Sequence, residues 1–202
     1  MRDTIYSFLK VAFVLAIIPI IAATTVAFQR ELLLMKSEYR DYFLNGMVIY
    51  AFMHFFLYDC QALYALGQRV LAEIFKLLPP LDKLAPYFVP IYSIIIILFY
   101  FFWVVFLKIG LSSGYYFGLL GFTVAMHLVM TAQEFYDSDK RVWKPNYFFS
   151  FSLSYIFTIF LIVFALHLAA KSITFSHFFK ALCRLTDNSY EEVFRFFWSA
   201  FR

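Results

Sequence analysis

A stripe of polar side chains runs along an otherwise apolar segment in the second half of the chain. At helical spacing it consists of Thr123, His127, Thr131 and Glu134. Residues three and four positions apart share one side of an α-helix, so these groups lie in a single row. Ionisable groups inside apolar segments are costly to bury and are candidates for function wherever they occur. The stripe is therefore the first place where we expect chemistry.

Histidines can hold a metal or a haem iron, and three of them, His54, His127 and His167, lie in apolar segments. His54 lies four residues, and His127 six residues, before the ends of their segments, so they share a depth if the segments run in the same direction. They could then be the axial ligands of a haem b. If a further segment crosses between them, they lie in opposite leaflets and the pairing is lost. The alternative for each histidine is a structural hydrogen bond to a neighbouring hydroxyl or carbonyl group.

Charged residues also interrupt the apolar stretch YALGQRVLAEIF, residues 64–75. Arg69 and Glu73 are four residues apart, and we expect them to form an ion pair along a helix. The segment Cys60–Leu78 combines these charges with apolar residues at helical spacing and is followed by two prolines, which predicts an amphipathic helix. This helix either lies at the membrane interface or enters the bundle.

Composition indicates a membrane environment rather than water or nucleic acid. Of the 202 residues 63% are hydrophobic and 15% are charged, and the mean hydropathy is +0.76. Soluble domains have about 25% charged residues. The formal net charge of +4 comes from basic residues scattered among acidic ones, which argues against nucleic-acid binding. The two cysteines have no metal-binding or redox spacing. We therefore predict an all-α integral membrane protein.

Five apolar runs are long enough to cross a hydrocarbon layer of about 30 Å as helices. They are Val11–Phe28, Tyr42–Tyr58, Pro86–Leu107, Leu111–Gln133 and Tyr147–Ala170. The first run is longer than the core of a signal peptide, so we interpret it as a retained span. The predicted fold is a bundle of five transmembrane helices, or of six if Cys60–Leu78 also crosses. Basic residues are nearly equal in number on the two sides, so the sequence does not orient the bundle.

The predicted bundle occupies residues 1–170, and residues 171–202 are predicted to form two amphipathic interfacial helices. The second of them, 190–202, starts at a capping box formed by Ser189 and Glu192. Its aromatic stripe consists of Phe194, Phe197, Trp198 and Phe201. A helix of this kind lies flat on a membrane or docks a partner.

Small residues line one side of the fourth apolar run. They are Gly110, Gly114, Gly118, Gly121 and Ala125. Lipid supplies no hydrophobic drive between helices, so close backbone approach at such faces holds membrane helices together. We expect this glycine ladder to pack either against another helix of the chain or against a separate subunit.

The order of the segments resembles a known family over roughly residues 42 to 168. The segments are YFLNGMVIYAFMHFFLYD, CQALYALGQRVLAEIF, LAPYFVPIYSIIII, GFTVAMHLVMTAQEF and NYFFSFSLSYIFTIFLI. Together they are similar to the site-2-protease-like membrane metallopeptidases. In that family the second segment reads approximately Y-x-x-G-H-E-x-x-H, with both histidines on zinc and the glutamate activating water.

The resemblance implies a member that has lost the metal site. Gly67 matches the motif, but Gln68 stands at the first histidine, Arg69 at the glutamate and Ala72 at the second histidine. An amide is a weak zinc ligand and a methyl group is none. A guanidinium stays protonated and cannot act as a general base. The resemblance thus implies a pseudoprotease with no catalytic residues and no metal.

From these observations we predict a non-catalytic, multi-pass membrane subunit, a protease-like scaffold that assembles with other integral membrane proteins. We expect it in the lipid bilayer of a bacterial inner membrane, with no cofactor and no nucleic acid. One alternative is an electron-transfer or quinone-binding subunit with His54 and His127 as haem ligands. A second alternative is a component of a lipid-transport complex that uses the polar stripe.

Overall fold

The computed structural model describes residues 2–56, 60–78, 85, 87–106, 113–139, 145–170 and 172–200. Within these ranges the chain forms helices and no strand, which confirms the predicted all-α class. The helices are α1 (Arg2–Leu34), α2 (Ser37–Phe56), α3 (Gln61–Phe75), α4 (Ile91–Phe101), α5 (Ser113–Asp139), α6 (Pro145–Ala169) and α7 (Phe175–Ala200). A π-helical turn, Phe102–Phe106, continues α4.

Helix α5 is the centre of the bundle and contacts α2, α3, α4 and α6. It runs parallel to α2, because the ring of Tyr50 meets that of Phe122 while the earlier Gly46 lies against Gly118. Helix α4 runs in the opposite direction, since Ser93 bonds to Thr123 and Tyr100 stacks near Tyr116. Helix α6 is antiparallel to α5 as well. The chain thus surrounds one largely buried helix with its neighbours.

Among the described residues, three helical segments are long and apolar enough to cross a membrane, fewer than the five or six predicted. They are Ala12–Leu34, Gly114–Asp137 and Phe148–Ala169. A fourth results if α2 and α3 count as one span, although the two are bent by 116°. The predicted third span is reduced to the apolar helix Ile91–Val104, which at about 1.5 Å per residue is shorter than a hydrocarbon layer of about 30 Å. The apolar runs of the sequence therefore predicted more spans than the described helices provide.

The predicted pair of C-terminal helices is a single helix, α7, and the capping box at Ser189 does not start a new one. No glycine or proline interrupts residues 175–200, so nothing in the backbone forces a break. Continuation also lets both halves face the bundle, since Phe178 is buried in the first half and the Tyr190 hydroxyl donates to the Ala16 carbonyl in the second.

Helix α7 runs antiparallel along α1. Near one end, His177 Nδ1 lies 2.5 Å from Oε1 of Glu31, which is completely buried. Near the other end, Tyr190 reaches Ala16. The two contacts are separated by about 22 Å along α1 and about 20 Å along α7 at 1.5 Å per residue. Because α1 is a candidate span over this whole length, α7 lies along the side of that segment. That α7 lies flat on a membrane surface stays a prediction.

Candidate functional site: a polar cavity beside α5

The polar stripe of α5 faces α3 and α4 and is largely buried. His127 is 4% exposed and Thr131 is fully enclosed, while Glu134 is half-buried. His127 follows Gly118 by nine residues, which at about 100° per residue puts the stripe opposite the glycines. One side of α5 thus carries polar side chains, and the opposite side carries the glycines.

Helix α3 supplies the partners of this stripe. The Tyr64 hydroxyl lies 2.8 Å from Thr131 Oγ1, and this bond is buried. One turn further along α3, Gln68 Nε2 donates to Glu134 Oε2 at 2.5 Å. Two hydrogen bonds between side chains therefore hold α3 against α5 at the position of the predicted site.

Gly67 explains why α3 approaches this closely. A Cβ atom built on Gly67 would lie 2.8 Å from side-chain atoms of both Ile91 and Tyr92, closer than real Cβ contacts. Beside it, the Tyr92 hydroxyl donates to the carbonyl of Leu63 at 2.5 Å. The missing side chain lets α3 rest on the start of α4, and this places Tyr64 and Gln68 over α5.

Tyr87, just before α4, completes the polar group. Its hydroxyl interacts with the Glu134 carboxylate, and its main-chain carbonyl accepts a hydrogen bond from His127. Tyr87 lies outside the three candidate spans. Burial, together with the charge of Glu134, raises the pKa of Tyr87 above its usual value. Its hydroxyl therefore stays protonated at neutral pH and can donate to the carboxylate.

Two cavities lie along this polar group. The inner one has a volume of about 10 Å³ and is lined by Tyr64, Gln68, Thr123 and His127 together with apolar residues of α3, α4 and α5. A volume of this size is about enough for one water molecule. The outer cavity, of about 190 Å³, extends past Gln133 and Glu134 to Asp137. At about 30 Å³ per molecule it has room for roughly six waters.

The three positions that the resemblance assigned to a lost metal site have different surroundings. Gln68 bonds to Glu134, whereas Arg69 is exposed on another side of α3 and Ala72 is half-buried. Among the described residues, no three histidine, cysteine, aspartate or glutamate side chains are grouped so that they could hold a metal ion. Gln68 thus contacts α5 through Glu134.

The predicted ion pair of Arg69 with Glu73 is wrong. Glu73 instead pairs with Lys76, whose Nζ lies 3.3 Å from Oε2 of Glu73. Both partners are more than 70% exposed, so the pair contributes little to stability. Arg69 has no ion-pair partner in the part of the chain that the structure describes.

The structure does not bring His54 and His127 together. Helices α2 and α5 do run in the same direction, as shared haem ligation by the two histidines would require. However, His54 is on α2, stacked against Tyr50 with ring centres 5.8 Å apart. His127 points away from α2, toward α3 and Tyr87. The two imidazoles thus have different neighbours, Tyr50 for His54 and Tyr64 with Tyr87 for His127.

The glycine ladder packs within the chain, as the first alternative predicted. Gly114 contacts the ring of Tyr42, and a Cβ at Gly121 would collide with the carbonyl oxygen of Phe43. A Cβ at Gly46 would collide in the same way with the carbonyl oxygen of Gly118. The described glycines of the ladder are therefore covered by α2. Gly110 lies outside the described residues.

The predicted aromatic stripe is exposed where the structure describes it. Phe194 is 74% and Trp198 71% exposed, and both follow Tyr190, which bonds to Ala16 of α1. Phe201 and the side chain of Phe197 lie outside the described part. This end of α7 is therefore a separate surface from the polar group beside α5.

Sequence reasoning found one half of the polar site. It identified the stripe on α5 but missed Tyr64 and Tyr87, which supply three of its hydrogen bonds. For Tyr64 a signal existed, since Tyr64, Gln68 and Leu71 recur on the apolar side of α3 at spacings of four and three residues. Tyr87 precedes α4 and is not part of a periodic pattern in the sequence.

Comparisons of the chain with protein-family models, with curated proteins and with solved structures gave no match. The resemblance to site-2-protease-like metallopeptidases therefore stays a prediction, and the site has to be interpreted from its own contacts.

Proposed function

We propose that this chain is a non-catalytic membrane subunit that crosses the bilayer with α1, α5 and α6 and assembles through α7 with a second copy of itself. The observation that carries the proposal is the position of α7, whose polar side is exposed along the length of an apolar span. The assembled pair would serve as a scaffold for further membrane proteins.

The exposed side of α7 is a polar stripe. It carries, at spacings of four, three and four residues, Lys180, Arg184, Asp187 and Glu191. A charged side chain at the centre of a bilayer costs about 3 kcal/mol on insertion scales, and charged residues in spans normally face protein or water. Four such groups facing lipid would be costly to leave uncovered. Cover by a protein surface removes this cost.

A second α7 fits this stripe by charge. In an antiparallel pairing that sets Arg184 against Asp187 of the second copy, Lys180 falls opposite Glu191 of that copy, because each is four residues further along. His177, seven residues before Arg184, falls opposite Phe194 of the second copy, which is seven residues after Asp187. The contact is the same from both sides, so it forms a closed two-fold dimer with four opposite-charge pairs.

The spacing of these residues also suits a helix pair. His177, Lys180, Arg184, Asp187, Glu191, Phe194 and Trp198 alternate steps of three and four residues. This is the seven-residue repeat that keeps one side of a helix facing its partner. In the single chain Glu191 lies 3.5 Å from Arg195, and both are exposed, so Glu191 is free to reach a second partner.

A non-catalytic role is supported by the contacts of α3. Gln68 is bound to Glu134, and the exposed Arg69 cannot accept a proton from water because a guanidinium stays protonated. The hydrogen bonds of α3 hold helices together, which is what a scaffold requires.

The test exchanges charges in the full-length chain, purified in mild detergent, with its mass measured by light scattering. We expect a dimer for the wild type and at least a ten-fold weaker dimer for Lys180→Glu or for Glu191→Lys, since each change places like charges opposite each other. The double variant Lys180→Glu/Glu191→Lys restores opposite charges and should restore the dimer.

Lys76→Glu is the matched control, because Lys76 is an exposed basic residue at the end of α3 and lies outside the stripe. It should leave the dimer intact. A monomeric wild type, including one that co-purifies with a different membrane protein, would overturn self-association. So would a double variant that stays as weak as the single ones.

A further inference from the structure

His127 is a buried ionisable residue that the proposed assembly leaves without a role. It is 4% exposed, and its Nε2 has no hydrogen-bond partner in the described part of the chain. The hydrogen bond to the Tyr87 carbonyl is therefore made by the other ring nitrogen, Nδ1, as donor. Nε2 is thus a buried nitrogen with a free lone pair, on a side chain that lines the inner cavity, where about one water molecule fits.

The inner cavity lies next to the outer one, and two side chains belong to the walls of both. These are Tyr64 and Gln68. Both are tethered to α5, Tyr64 by Thr131 and Gln68 by Glu134. Asp137 lines the far end of the outer cavity and is ten residues of α5 away from His127. At 1.5 Å per residue this is a distance of about 15 Å along the helix. This is about half the thickness of a hydrocarbon layer.

We propose that these cavities form a water path from the end of α5 to His127, and that His127 Nε2 takes up a proton delivered along it. Tyr64 and Gln68 separate the two cavities, and movement of Gln68 away from Glu134 joins them. The inference stands apart from assembly through α7, since it concerns the opposite part of the bundle.

The proton transfer balances without any further reactant. A hydronium ion at the inner end of the water path loses a proton to the Nε2 lone pair. One O–H bond breaks, one N–H bond forms, and the products are water and an imidazolium. Nδ1 keeps its proton and its bond to the Tyr87 carbonyl throughout.

The groups that face His127 allow a positive charge there. From α3 comes Tyr64, whose ring centre is 6.3 Å from that of His127, and from the start of α4 comes Tyr92. Tyr87 contributes its carbonyl oxygen. Among the described residues that line the two cavities, the carboxylates are Glu134 and Asp137, and no lysine or arginine lines them. Their negative charge at the outer end draws a proton toward the path rather than away from it.

The test is nuclear magnetic resonance of the full chain in lipid nanodiscs with ¹⁵N-labelled histidine. His127→Gln identifies the signals of His127 among the four histidines. In the wild type we expect His127 to change from a single neutral tautomer to imidazolium as the pH is lowered, and its ring N–H to exchange with deuterated water. Gln68→Ala removes the wall between the cavities and should speed this exchange about ten-fold.

Gln133→Ala is the matched control, because Gln133 lines the outer cavity but not the wall shared with the inner one. Its exchange rate should remain that of the wild type. The proposal is overturned if the His127 ring stays neutral at every pH at which the chain is folded, or if its N–H does not exchange with water. It is also overturned if Gln68→Ala leaves the exchange unchanged.

Discussion

The two opposite sides of α5 are built in different ways. Toward α2 the contact is made by glycines, and the two backbones come so close that a Cβ at Gly121 or Gly46 would collide with a carbonyl oxygen. Toward α3 the contact is made by long polar side chains, Tyr64 with Thr131 and Gln68 with Glu134, and cavities remain between them. One helix thus has a closely packed side and a hydrated side.

The difference shows how a single helix can serve stability and function at once. Closely packed backbones cannot shift without a collision, so the contact with α2 fixes the position of α5. Side-chain hydrogen bonds can open and close by rotation without moving a helix. The α2 side therefore provides a fixed support, against which Gln68 and Tyr64 on the other side can change position.

The largest effect should come from adding one methyl group on the glycine side. In Gly121→Ala the new Cβ would overlap the Phe43 carbonyl oxygen, so α2 and α5 must separate, and we expect a loss of about 3 kcal/mol or more in the free energy of unfolding. Gly118→Ala is the matched control, because its Cβ would lie 3.6 Å from the nearest atom, the carbonyl oxygen of Tyr42. There the better helix propensity of alanine should leave stability equal or slightly higher.

The measurement is unfolding in mixed detergent micelles, followed by circular dichroism. Equal losses for Gly121→Ala and Gly118→Ala would contradict the close contact at Gly121. A stable Gly121→Ala variant would show that α2 is not held at this distance.

A smaller effect is expected on the polar side. Thr131→Val leaves the Tyr64 hydroxyl buried without its partner, and this costs about 1–3 kcal/mol. Tyr64→Phe combined with Thr131→Val removes both hydroxyls, so the double variant should be more stable than the sum of the two single losses predicts. The free energies of unfolding of the wild type, the two single variants and the double variant give the interaction energy between the two hydroxyls. Strictly additive losses would mean that the two hydroxyls do not bond to each other.

The pattern of residue types predicted much of this comparison. The three- and four-residue spacing placed the glycines on one side of α5 and the stripe on the other, because helix geometry fixes which residues share a side. The sequence did not predict which residues of the other helices contact each side of α5. The partner of the glycines is Gly46 with its neighbours, and a lone glycine in α2 carries no periodic signal.

The failures of prediction have a common physical origin in tertiary contacts. Ser189 has the chemistry of a helix start, yet α7 continues through it because both halves rest on α1. The apolar run near Ile91 has the composition of a span, yet its helical part is short. Local preference is worth about 1 kcal/mol at a cap, and contacts along a whole helix outweigh it.

The smallest effect is expected at Arg69, which the sequence had suggested as half of an ion pair. Its side chain is exposed on the side of α3 that faces away from α5, and Glu73 pairs with Lys76 instead. Arg69→Ala should therefore change the free energy of unfolding by less than about 0.5 kcal/mol, as is usual for exposed positions. Gln68→Ala, one residue earlier, removes the bond to Glu134 and should cost more. If Arg69→Ala proved the more damaging of the two, α3 would have to present its other side to α5, and the hydrated side would be wrongly assigned.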